Sequence, residues 1–125
     1  MSTDRNLKLL IKAKEKGFFI RCYYILTIDP AINVQRVKSR VARGGHDVPE
    51  DKIISRYERA LDLVKDVVNV SDICHIYDNS GCEPYRIFKK RKELLFYEPS
   101  SDWLPEDIQM LTGIYNSTLV QRKLN

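Results

Sequence analysis

The apolar run from Phe18 to Ile28 constrains this chain more than any other feature. Its sequence, FFIRCYYILTI, is aromatic and β-branched with almost no polar alternation. A strand in a sheet that is covered on both faces has this pattern, because neither side of it meets water. We therefore expect Phe18–Ile28 to be an inner strand of a sheet with helices above and below it.

Helical signals surround this strand. Ser2, Thr3 and Asp4 are all residues that cap helices, and Asp29-Pro30 and Pro49 open two more helices, because proline fits a first helical turn. The apolar spacing that follows each signal predicts four helices in all. They run from about Asp4 to Lys16, from Pro30 to Gly44, from Pro49 to Val68, and from near Leu104 to Leu119.

Shorter apolar segments predict the rest of the sheet. Ile73–Tyr77 is a short strand, and Tyr85–Phe88 and Leu94–Tyr97 flank the basic run Lys89–Lys92 as a hairpin. The element order predicts one α/β domain over residues 1–125, with a parallel pair at its centre, flanking helices and a terminal hairpin. Such a sheet is short of strands. Either it pairs through an open edge with a partner chain or a second copy, or its other strands lie outside this sequence.

The composition of the chain limits the classes of ligand and location that we expect for it. The chain has 21 basic and 17 acidic residues, a net charge of +4, which permits an anionic ligand without arguing for sequence-specific binding to nucleic acid. Its three cysteines include no C-x-x-C pair, so we expect no disulfide framework and no metal site. No apolar run approaches the ~18 residues of a membrane span, and a cytoplasmic location is the expectation.

Six cations converge on the turn between the second and third helices, where Gly44-Gly45 indicates a mobile hinge. They are Arg36, Arg40, Arg43, Lys52, Arg56 and Arg59. Guanidinium groups match phosphate oxygens, so this arrangement suits a lid that closes over a nucleotide or a phosphorylated substrate. The alternative is that these cations are the solvated side of two amphipathic helices.

Three other groups of residues are weaker candidates for a functional site. His46 is either a general base or a hydrogen-bonded turn residue, and the turn residue is the more common case. The spacing of Cys74, His75 and Cys82 fits no tetrahedral metal site. Lys89–Lys92 is a contact for nucleic acid, a targeting address, or a solvated turn that protects a sheet edge, of which the turn is most common.

The segment RVARGGHDVP, followed by RYER and by a strand that ends in YDNS, resembles the zeta-toxin-like group of P-loop kinases, also described as predicted ABC-type ATPases. The resemblance runs from about Asp4 to Tyr97. It implies a P-loop kinase-like fold with ATP and Mg²⁺ as cofactors. The implied reaction is ATP-dependent phosphoryl transfer, in relatives to a UDP-amino sugar, and an antitoxin is an implied partner.

The resemblance also implies site residues. Lid arginines that steady the transferring phosphate fall on Arg40 or Arg43 and on Arg56 or Arg59. Gly44, Gly45 and His46 form the lid turn. The nucleotide base lies near the three residues at the end of a strand, which are Asp78, Asn79 and Ser80.

One departure from the family is decisive for activity. Kinases of this group bind phosphate with a G-x-x-x-x-G-K-[ST] loop, and no glycine here is followed by lysine. We therefore expect the C-terminal half of such a kinase, inactive on its own and binding nucleotide or phosphate weakly. The alternative is a small interaction or regulatory module that pairs with a partner chain through a sheet edge.

Overall fold

The computed structural model describes residues 4–125, with Asp4 described only by its backbone. The described residues form four helices and five strands, a mixed α/β fold. In chain order they are α1 (Asp4–Glu15), β1 (Arg21–Leu26), α2 (Pro30–Ala42), α3 (Glu50–Val70), β2 (Ile73–Asp78), β3 (Tyr85–Arg91), β4 (Leu94–Tyr97), α4 (Pro105–Thr112) and β5 (Leu119–Gln121). The strands lie in the order β1-β2-β3-β4-β5. The outer pairs β1/β2 and β4/β5 are parallel, and the inner pairs are antiparallel.

The helix starts follow the sequence signals. Asp29 caps α2, its carboxylate accepting a hydrogen bond of 2.8 Å from the Ala31 N–H, and Pro30 is the first helical residue. Pro49 precedes α3, whose first turn carries two acidic residues that favour the helix dipole. The predicted helix from Asp4 is confirmed as α1, while the predicted caps Ser2 and Thr3 lie outside the described residues.

One face of the sheet carries the core. Helices α1, α3 and α4 all pack on this face, which we call the covered face. The apolar side chains that it buries completely come from β2, β3, α3 and α4: Cys74, Ile76, Ile87, Phe88, Val64, Val67 and Ile108. Helix α2 packs against α3 through a second small cluster that joins Val34 and Val37 to Ile53. Helices α1, α3 and α4 therefore form a layer on one side of the sheet, and α2 lies against α3.

The expectation that Phe18–Ile28 is covered on both faces is wrong for the described residues. Exposure alternates strictly along β1, and Tyr23 and Ile25 on the outward side are 59% and 63% exposed. The reason is that α1, α3 and α4 all pack on the covered face, so the other face, the open face, meets solvent. β1 also pairs only with β2 and is an edge strand, so the parallel pair does not lie at the centre of the sheet.

The hairpin is confirmed, but the basic run is mostly strand. β3 continues to Arg91, and the turn is made by Lys92, at a φ of 57°, and Glu93. The Lys90 side chain reaches the end of α3 and donates a hydrogen bond of 2.8 Å to the Val68 carbonyl. A cation that satisfies the last carbonyls of a helix is stabilising, so this lysine has a structural role.

The predicted last helix is too long. α4 ends at Thr112, because Gly113 takes a left-handed conformation with a φ of 72°. Leu119 belongs instead to β5, which adds a parallel strand beside β4. The expectation that the hairpin is the last part of the sheet is therefore wrong.

Candidate functional site

A cavity of about 830 Å³ lies where β1 and β2 end, between α2 and α3. Leu26 reaches it from the end of β1, Thr27 from the position directly after β1, and Asn79 from the loop after β2. In α/β folds, ligands lie outside the carboxyl ends of parallel strands, because the loops that follow those strands meet there. We call this space the arginine cavity.

Four arginines line the cavity. Arg36, Arg40 and Arg43 come from α2 and its C-terminal cap, and Arg56 comes from α3. No aspartate or glutamate is among the lining residues. In the part of the chain that the structure describes, the one ion pair joins Lys14 to Asp72, so none of these arginines is ion-paired. Like charges that face one space without a counter-ion make a site for an anion.

The floor of the cavity is a set of polar contacts that joins three elements. Tyr57 of α3 donates a hydrogen bond of 2.8 Å to the Thr27 carbonyl, and the Thr27 hydroxyl lies 3.0 Å from the side-chain oxygen of Asn33 on α2. Burial, with smaller contributions from Asp29 and Asp78, raises the pKa of Tyr57. Its hydroxyl therefore remains protonated and holds α3 against the end of β1.

The two glycines shape the turn that ends α2. The Gly45 and Gly44 N–H groups donate to the carbonyls of Arg40 and Val41, at 2.8 and 3.0 Å, which is the pattern of a Schellman motif. Gly44 has a φ of +94°, and a Cβ on Gly45 would lie 2.9 Å from the Arg40 oxygen. Both positions therefore require glycine, and together they direct the chain from α2 towards α3.

The three residues at the end of β2 face different surroundings. Asn79 lines the cavity, and its carbonyl accepts a hydrogen bond from Arg36. The Ser80 hydroxyl accepts one of 2.9 Å from the Ile28 N–H. Asp78 is fully buried and accepts hydrogen bonds from the Trp103 indole, the Tyr85 hydroxyl and the Ser80 N–H. Its carboxylate thus joins the sheet to the segment before α4.

Several candidates from the sequence lie outside the cavity. Arg59 and Lys52 are exposed on α3 and are not among the lining residues, and His46 is exposed in the turn. The described residues contain no group of three or more His, Cys, Asp or Glu side chains that could hold a metal ion. None of the described helices is long and apolar enough to cross a membrane.

Sequence reasoning missed two polar residues of the site. Asn33 lies one helical turn before Val37 on the buried side of α2, and a polar residue in that position is the signal that could have found it. Tyr57 belongs by its spacing to the apolar line of α3, and nothing in the sequence indicates the partner of its hydroxyl at the end of β1.

Comparison with known proteins identifies one similar sequence. An uncharacterized protein of Haemophilus influenzae is 44% identical over 57 residues, which are 46% of this chain. The match covers 41% of that protein, so the chain spans about two fifths of the relative's length. No family model and no solved structure matches the chain.

Proposed function

We propose that the arginine cavity binds the phosphate groups of a nucleotide or a phosphorylated substrate. The observation that carries this proposal is that four arginines line one cavity without a single carboxylate among the lining residues. Arginine supplies a rigid, permanently charged fork for phosphate oxygens, and a cavity of about 830 Å³ falls within the ordinary range for small-ligand sites.

The cavity supports particular roles for these residues. Arg40, Arg43 and Arg56 are free of ion pairs within the described chain and serve as the phosphate contacts, with Arg56 favoured over Arg59 because only Arg56 lines the cavity. Arg36 holds the Asn79 loop in place through its hydrogen bond to the Asn79 carbonyl. In this proposal the arginines form the lid, and Asn79 is the one residue of the predicted base side that lines the cavity.

In this proposal the chain is the lid and base side of a zeta-toxin-like, P-loop kinase-like phosphotransferase that acts in the cytoplasm. ATP, Mg²⁺, a UDP-amino sugar acceptor and an antitoxin follow from the resemblance. Phosphoryl transfer also needs a lysine-bearing phosphate loop, and no Gly-Lys pair is present in the sequence. We therefore expect these residues alone to show no Mg²⁺-dependent ATP hydrolysis, so that another polypeptide segment must supply the loop.

A second candidate function is an interaction module. The observation that favours it is the edge strand β1, which pairs on one side only and is flanked by Phe18 and Phe19, at 64% and 57% exposed. An unpaired edge beside apolar side chains is a template for pairing with another chain. The two functions rest on different features, the unpaired edge of β1 and the arginines of α2 and α3.

Thermal unfolding with and without pyrophosphate or ATP tests phosphate binding. A ligand at about 100 times its Kd stabilises the folded state by about 2.7 kcal/mol, so the wild type should gain several degrees in Tm. The double variant Arg40→Gln/Arg56→Gln removes two guanidinium groups from the cavity. It should be as stable as the wild type without anion and should lose most of the gain.

The matched control is Lys52→Gln/Arg59→Gln, which removes the same charge from exposed positions of α3 outside the cavity lining. This control should keep the full gain in Tm. Equal gains in all three proteins would mean that the arginines are only a solvated helix face, and the proposal would then be wrong.

A further inference from the structure

The open face of the sheet carries a row of stacked rings. Tyr23 and His75 are register partners on β1 and β2, and their ring centroids lie 4.9 Å apart at an interplanar angle of 20°. Tyr77 continues the row, 6.5 Å from His75 and tilted by 42°. Because β1 is the edge strand, no described strand lies beyond Tyr23. One ring face of this 59% exposed side chain is therefore free to stack.

Three cations surround the same rings. A shallow recess of about 290 Å³ is lined by Arg21, Lys89 and Arg91 together with Tyr23, Ile73 and His75, and none of its lining residues is acidic. The register places Lys89 directly beside His75 and Arg91 beside Ile73. The recess thus combines positive charge with ring faces on a rigid sheet.

His75 is an uncharged member of this row. Arg86 lies 3.0 Å from His75 Nδ1, and Arg86 can only donate, so Nδ1 is the acceptor and the ring proton lies on Nε2. Burial and the charges of Arg86, Lys89 and Arg21 lower the pKa of His75. At neutral pH the ring is therefore a stacking surface and adds no charge of its own to the recess.

The charge of the open face limits what can cover it. A second copy of the chain would bring the same cations against these, and an apolar helix would bury them without partners, which is costly. A polymer of phosphates and bases supplies both anions for the cations and flat rings for the aromatic side chains. Bases stack on aromatic rings with little regard to sequence, and phosphates offset the cations.

We propose that the open face binds single-stranded nucleic acid without sequence preference, with a base stacked on Tyr23 and phosphates held by Arg21, Lys89 and Arg91. This site is separate from the arginine cavity and does not depend on the function proposed for it. A free mononucleotide has the same chemistry, but it carries fewer phosphates and should bind more weakly than a strand that meets all three cations.

Fluorescence anisotropy with a labelled oligothymidylate of about 12 nucleotides tests this site, since single-strand sites of this type span ~4–16 nucleotides. The wild type should bind with a log–log salt slope of about −2, because each of three phosphates contributes about −0.7. Tyr23→Ala should weaken binding by about 5-fold or more at an unchanged salt slope. Lys89→Gln should reduce the slope by about 0.7.

Matched variants distinguish stacking on the open face from a general effect of losing a tyrosine or a charge. Tyr23→Phe keeps the ring and should bind like the wild type, and so should Tyr115→Ala, which removes an exposed tyrosine outside the sheet. Lys12→Gln, on α1 and hence on the helix side of the sheet, should leave the salt slope unchanged. Circular dichroism of each variant confirms folding, and Lys89→Gln tests the proposal independently if Tyr23→Ala unfolds.

Three outcomes would overturn the proposal. One is binding of labelled polyglutamate or of duplex DNA as tight as that of the single strand, with no effect of Tyr23→Ala, which would show attraction by charge alone. Another is loss of oligonucleotide binding in Arg40→Gln/Arg56→Gln but not in Tyr23→Ala, which would assign the strand to the arginine cavity. The third is an absence of binding at low salt.

Discussion

The covered face and the open face of the sheet differ in exposure, and strand β1 contributes side chains to both. Along β1, Cys22, Tyr24 and Leu26 turn towards the helices and are at most 8% exposed, whereas Tyr23 and Ile25 turn outward and are more than half exposed. The covered face is closed by apolar packing and by polar contacts such as the hydrogen bond of 2.7 Å from the Tyr24 hydroxyl to the Ala60 carbonyl. The open face carries rings and cations, and the C-terminal residues Leu124 and Asn125 contact its Arg86.

The difference separates the part of the domain that stabilises the fold from the parts that can bind ligands. Burial of apolar side chains on the covered face supplies the free energy of folding. The open face and the arginine cavity contain cations without ionic partners in the described chain, an arrangement that contributes little to folding and much to binding anions.

The largest expected effect is a difference in stability between two aromatic-to-alanine variants, one on each face of the sheet. Phe88→Ala removes a fully buried ring from the covered face and should lower the free energy of unfolding by about 3–5 kcal/mol. Tyr23→Ala on the open face should cost less than about 1 kcal/mol. Urea denaturation of both variants measures the contrast, and similar losses would mean that the open face is also part of the core.

The next effect concerns the buried carboxylate of Asp78. Asp78→Asn keeps the shape but replaces one carboxylate oxygen with an N–H₂ group. That group faces either the Ser80 N–H or the donors of Trp103 and Tyr85, so we expect a loss of about 1–3 kcal/mol. Asp102→Asn, at an exposed position directly before Trp103, is the control and should change stability by less than about 0.5 kcal/mol. A neutral Asp78→Asn would show that the carboxylate is not required to hold the sheet to α4.

The smallest effect is a pH dependence that originates on the open face. The pKa of His75 is lowered from the usual 6.5, chiefly by burial, so the unfolded chain binds this proton more readily than the folded one. Stability from this group is therefore present above pH 6.5 and is lost as pH falls below it. Thermal melts from pH 8 to about 5 should show a weaker decline in His75→Gln than in the wild type.

His46→Gln is the matched control, because His46 is the chain's other histidine and is exposed. This variant should keep the wild-type decline. The same decline in His75→Gln as in the wild type would show that the open face does not hold His75 in its neutral form.

Much of the fold was predictable from local signals. Asp29-Pro30 and Pro49 mark helix starts, and the apolar segments Tyr85–Phe88 and Leu94–Tyr97 mark the hairpin, because these signals act within a few residues. The faces of β1 were not predictable in this way. Tyr23 and Ile25 are as apolar as their buried neighbours, so the strand looks covered on both sides, and only the position of the helices decides which side meets water.

The candidate site was predictable only in part. Helical spacing is a local signal, whereas the rotation of a helix depends on tertiary contacts. The convergence of arginines on the Gly44-Gly45 turn follows from helical spacing, and four of the six predicted cations line the cavity. Arg56 and Arg59 are three residues apart and lie about 60° from each other around the helix, so spacing alone could not choose between them. The rotation of α3 is set by the packing of Ile53 and by the Tyr57 hydrogen bond, both of which are tertiary contacts.

A pyrophosphate titration observed through the arginine side-chain signals in NMR tests the arginine cavity most directly. We predict saturable shifts of the guanidinium resonances of Arg40, Arg43 and Arg56, with a single apparent Kd, and no saturable shift of Arg59. Small shifts spread evenly over every arginine without saturation would contradict the account, because they would show ionic strength acting on solvated side chains and no phosphate site between α2 and α3.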